Sequence, residues 1–114
     1  VLRQTLEELW PGRAVHVLLG VSADKPVQAI GELLGPAASS MTCTTSRHPR
    51  ALDPHRLAEQ LRPYHQNLSV IPEAPDAYTY LLNTVDPNSL IVITGSLFLV
   101  GELRAQRVME SLRR

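Results

Sequence analysis

Three short stretches of this 114-residue chain gather residue types that can do chemistry. Gly20-Val21-Ser22-Ala23-Asp24-Lys25-Pro26 places a carboxylate beside an ammonium group. Thr45-Ser46-Arg47-His48-Pro49-Arg50 offers two guanidinium groups and an imidazole, and Thr94-Gly95-Ser96 ends an apolar run on a glycine and a hydroxyl. Cations, hydroxyls and the free amides that open a helix are the groups that hold a small anion, a carboxylate above all. Each stretch also has a plain structural reading. Asp24-Lys25 can be a helix cap with a solvated lysine, Arg47 and Arg50 a solvated turn, and Ser96 an N-cap.

Other chemistries are poorly supported. His16, His48, His55 and His65 lack metal-site spacing, and Cys43 with His48 gives one thiol and one imidazole without further ligands, so no metal site is expected. His16, between Val15 and Val17, reads as an interior histidine. Thr94-Gly95-Ser96-Leu97-Phe98 lacks the second glycine of a nucleophile elbow. Neither GxGxxG nor GxxxxGK[ST] occurs, which argues against a self-sufficient NTPase. Eleven basic residues balance eleven acidic ones, so no overall field draws in nucleic acid or an anionic membrane. The single cysteine fits a reducing cytoplasm, and no apolar run approaches the roughly 20 residues of a membrane span.

For the three stretches to meet, the elements between them must bring one rim together. Val1, Leu2, Leu6, Leu9 and Trp10 recur at helical spacing up to a Pro11-Gly12 stop. Ala14 to Leu19, closed by Gly20, is a short apolar run of the kind buried on both faces of a parallel sheet. Pro26 suits the first turn of a helix whose stripe is Val27, Ile30, Leu33 and Leu34, ending at Gly35-Pro36. Ser39 to Thr44 reads as the next strand, then Asp53 as an N-cap before a helix burying Leu57, Ala58 and Leu61 and ending before Pro63. Leu68 to Ile71 reads as a strand, and Asp76 to Val85 as a helix turning Ala77, Tyr80, Leu81 and Thr84 inward. After the turn Asp86-Pro87-Asn88-Ser89, Leu90 to Thr94 is a strand and Phe98 to Leu112 a closing helix. This alternation predicts one domain over 1–114, an α/β three-layer sandwich with a mostly parallel sheet and right-handed crossovers. Ligands of such sheets sit outside the carboxyl ends of the strands, where all three stretches fall. Because the chain opens inside a helix, a preceding strand is expected to be missing, as in a fragment of a longer protein.

Taken as a set, the stretches resemble a known family. LLGVSADKPVQAIGELLGP is similar to the segment around the Asp-Lys loop in the C-terminal domain of folylpolyglutamate and dihydrofolate synthases, within the Mur ligase superfamily. SRHPRALDPHRLAEQL resembles that family's Pro-Arg-Ala-Leu loop and following helix, and LIVITGSLFLVGELR its Gly-Ser-Leu signature. The resemblance implies a Rossmann-like C-terminal domain that binds incoming L-glutamate and closes the active site of an ATP-dependent amide ligase. In that reaction ATP phosphorylates a carboxylate of dihydropteroate or a folyl glutamate, and the glutamate amine attacks the acyl phosphate. ATP and Mg would be held mainly by an N-terminal ligase domain, a partner absent from this chain, and no catalytic residue is expected here. Ser96, Lys25 and Asp24 match the glutamate contacts, and Arg50, with His48 in the same loop, matches a ligand or interdomain contact. The family's Asp-Gly-Ala-His-Asn-Pro segment normally precedes the first helix, and it is not in this chain, so the isolated domain is expected to be inactive. A Mur peptidoglycan ligase domain and a non-catalytic α/β binding module remain alternatives.

Overall fold

The structure, a computed structural model, describes residues 4, 8, 11–45 and 49–95. Gln4 and Glu8 are helical, and the chain turns at Pro11-Gly12, where Gly12 takes φ +75°, a left-handed conformation that glycine adopts without a Cβ penalty. The expected closing helix from Phe98 lies outside the described residues, as do Ser96 and His48.

From there strands and helices alternate: β1 Val15–Gly20, α1 Val27–Leu34, β2 Ser40–Thr45, α2 Pro54–Leu61, β3 Leu68–Glu73, α3 Ala74–Thr84 and β4 Leu90–Gly95. A short 3-10 turn, Gly35–Ala37, prolongs α1 through the expected Gly35-Pro36 stop. All pairings between these strands are parallel, in the order β3-β2-β1-β4. The run Val15 to Gly20 is central, which is why it is apolar on both faces.

Side chains leave β1 alternately. Val15, Val17 and Leu19 join Met41 and Cys43 of β2 in a core covered by Val27 and Leu34 of α1 and by Leu57, Ala58 and Leu61 of α2. Leu18 points the other way, into a second core with Ala74, Ala77, Tyr78 and Leu81 of α3 and the half-buried Ile71, Ile91 and Ile93. The result is three layers, with α1 and α2 on one face and α3 on the other. α1 and α2 lead outward from β1 to β3, whereas α3 returns across the sheet to β4. A return in the opposite sense must use the opposite face to keep the same hand of crossover.

Three local features depart from the sequence pattern, the first being Leu33, expected in the stripe of α1 but 57% exposed. β3 runs two residues past Ile71, through Pro72; it lies at one end of the described sheet, where a missing N–H is tolerated. There the β2–β3 register shifts between Cys43 and Thr45, and the Thr44 hydroxyl donates to the Pro72 carbonyl at 3.0 Å. α3 starts at Ala74 rather than Asp76, so its buried stripe is Ala74, Ala77, Tyr78 and Leu81, an i, i+3, i+4, i+7 series. Tyr80, expected inside, is 49% exposed, and Thr84 is exposed with its hydroxyl donating to the Tyr80 carbonyl.

Candidate functional site at the carboxyl ends of the strands

β1 and β4 pair in register over their full lengths, from Val15 opposite Leu90 to Gly20 opposite Gly95. Both strands therefore end at one level. The chain leaves β1 toward β2 and reaches β4 only after returning across the sheet, which makes the β1/β4 boundary a topological switch point. Val21 to Pro26 emerges on one side of that crevice, and β4 ends on the other at Gly95.

The loop after β1 is built against the loop after β2. Ser22 and Ala51 form an antiparallel bridge, with the Ala23 amide donating to the Arg50 carbonyl at 2.7 Å and the Leu52 amide to the Val21 carbonyl at 2.9 Å. The backbones that carry Asp24-Lys25 and Arg50 are thus fastened side by side. Of the five candidate residues, the described structure brings together Asp24, Lys25 and Arg50; His48 and Ser96 lie outside the described residues.

Asp24 does not cap α1. Pro26 stands at the N-cap with no side-chain hydrogen bond to the helix, and Asp24 instead accepts from the Ser22 hydroxyl at 2.7 Å. That bond and its own backbone amide hold the exposed carboxyl below the usual Asp range, and the charges of Lys25 and Arg50 add to the effect. Lys25 is exposed, its amide donating to the Ser22 carbonyl at 3.1 Å, and among the described residues it is in no ion pair. A fixed carboxylate, an exposed ammonium and a neighbouring guanidinium on one rim can hold both charges of an amino acid. Ser22 is the residue that sequence reasoning passed over, and its Ser-x-Asp spacing, typical of side-chain turns, was the available signal.

The remaining candidates resolve as structure. His16 is half-buried, its Nδ1 2.7 Å from the Ser40 hydroxyl, and burial lowers its pKa from 6.5. His65 ties two segments: Nε2 donates to the Ala38 carbonyl at 2.8 Å and Nδ1 accepts from the Asn67 amide at 3.0 Å. The surface hollow lined by Arg62, Tyr64, His65 and Asn67 precedes β3, at the amino ends of the strands and away from the rim. Cys43 is fully buried, which pushes its thiol up to about 12. Among the described residues no three His, Cys, Asp or Glu side chains gather to hold a metal ion, and no helix is long and apolar enough to cross a membrane.

Comparison with known families decides the ancestry of this rim: the family described as Mur ligase, glutamate ligase domain matches residues 1–97. The chain belongs to that family. No match was found among curated proteins. Solved structures similar to this glutamate ligase domain include folylpolyglutamate synthase of Mycobacterium tuberculosis complexed with ADP and AMPPCP, 32% identical with a TM-score of 0.80 over 92% of this chain and 26% of that one. The folylpolyglutamate synthase of Thermotoga maritima is 25% identical, with a TM-score of 0.75 over 91% of this chain and 23% of that one. FolC of E. coli in complex with DHPP and ADP, at 18% identity and a TM-score of 0.79, covers 99% of this chain and 26% of its own, and shares the fold. The chain therefore spans about a quarter of the length of these structures. Both the family and the α/β architecture agree with the resemblance drawn from the three loops.

Proposed function

We propose that this chain is the C-terminal, glutamate-binding and active-site-closing domain of an ATP-dependent folate:glutamate ligase of the cytoplasm. The observation that carries the reading is the pinning of the Asp24-Lys25 loop to the Arg50 loop beside the β1/β4 switch point, in a chain of the glutamate ligase family. Lys25 attracts a carboxylate of the incoming L-glutamate, Asp24 faces its ammonium group or orients Lys25, and Ser96 supplies a hydroxyl to the same carboxylate. Arg50, with His48 near it in sequence, contacts an anionic ligand or the companion domain. ATP, and the folate or dihydropteroate whose carboxylate it phosphorylates, bind chiefly on an N-terminal ligase domain. Magnesium is bound there too. This domain holds the glutamate so that its amine can attack the acyl phosphate and release phosphate, a contribution of position rather than of acid–base chemistry.

The test compares two proteins. A full-length chain carrying this domain is expected to incorporate labelled glutamate into a folate in the presence of ATP, and the 114-residue chain alone is expected to incorporate none. Ligation by the isolated domain would overturn its assignment as a part that needs its companion.

A further inference from the structure

Ser22 is the buried polar residue of the Asp-Lys loop. It is 9% exposed, while Asp24 and Lys25 on the same loop are open to solvent. Its hydroxyl donates to Asp24 Oδ1 at 2.7 Å, its carbonyl accepts from the Lys25 amide at 3.1 Å, and its backbone bridges to Ala51. One buried serine therefore touches both members of the Asp-Lys pair and fastens them to the stretch that follows Arg50.

We propose that Ser22 is a positioning residue: its hydroxyl holds the Asp24 carboxylate in the orientation that glutamate binding uses and keeps it from closing onto Lys25. This rests on the glutamate-ligase reading above. An exposed aspartate samples several rotamers, and beside an ammonium and a guanidinium the unrestrained carboxylate would spend time paired with one of them. Such a pair would neutralise the cation needed for the substrate's carboxylate. A hydroxyl occupies an acceptor position on Asp24 without bringing charge, so Lys25 keeps its field. The bridge to Ala51 makes the donor itself immobile, which preorganises the site before substrate arrives. The lowered carboxyl of Asp24, for which Ser22 is the largest cause, agrees with this geometry.

The experiment is a double-mutant cycle in the full-length chain, with Ser22→Ala, Ser22→Thr, Asp24→Asn and the pair Ser22→Ala/Asp24→Asn. Ser22→Ala is expected to raise KM for L-glutamate about fivefold, the scale of one typical hydrogen bond, with no comparable change in KM for ATP. Ser22→Thr, which keeps the hydroxyl, restores most of the affinity. In the Asp24→Asn background the serine change adds nothing further. An unchanged KM in Ser22→Ala, or an equal rise with and without Asp24, would overturn the proposal. Carboxyl NMR titration supplies the second readout: Ser22→Ala raises the Asp24 midpoint, and an unmoved midpoint also sinks the idea. If the wild-type full-length chain ligates no glutamate, the ligase reading fails on its own, while the titration still judges whether Ser22 governs Asp24.

Discussion

Asp24, Lys25 and Arg50 gain their meaning from the backbone that joins them. A lysine before a helix is usually a solvated charge, and only the Ala23–Arg50 and Leu52–Val21 hydrogen bonds turn two separate loops into one cationic rim. On the proposed function, Lys25→Met in the full-length chain is therefore expected to raise KM for glutamate about tenfold or more, measured at saturating ATP. Cys43 illustrates the opposite case. Buried and protonated, with its thiol pushed up to about 12, it should resist DTNB in the folded protein and react only at the rate of unfolding. Fast labelling at neutral pH would contradict that. The candidate site was legible as residue types, because Asp-Lys and Arg-Ala-Leu stand in the sequence. Ser22 was not, since a serine two residues before an aspartate carries no mark of burial until the Ser22–Ala51 bridge is seen.

Elements were legible where punctuation was strong. Asp53 accepts from the His55 amide at 3.0 Å with Pro54 at the first helical position, as the pair Asp-Pro announced, and Asp53→Ala should cost about 1 kcal/mol in denaturant melts. The helix expected from Asp76 starts instead at Ala74, with Pro75 in its first turn, where proline is admitted. With the start moved to Ala74 the buried aromatic becomes Tyr78. Close approach was equally hidden. A Cβ on Gly35 would lie 2.7 Å from the Tyr64 carbonyl, and one on Gly31 2.5 Å from the Tyr64 ring. Gly35→Ala meets backbone and is expected to destabilise by about 1–3 kcal/mol. At Gly31 the ring must move, and about 1 kcal/mol of helix propensity offsets part of that cost.

For the whole molecule, the alternation of elements dictated the parallel sheet, and the sheet order put the switch point between β1 and β4. Stability should carry a signature of His16. Burial lowers its pKa from 6.5, so as pH falls the unfolded chain binds the proton first and the folded state loses stability through and below that value. Calorimetric midpoints are expected to decline below about pH 6.5 and to do so less steeply in His16→Gln. Of function, the family follows from the match over residues 1–97, and the role of the rim is what calls for measurement. The most direct one is the glutamate dependence of the proposed ATP-driven ligation by the full-length chain with Lys25→Met and Asp24→Asn. The account predicts a KM for glutamate raised in both while KM for ATP stays put; glutamate saturation identical to wild type in both would contradict it.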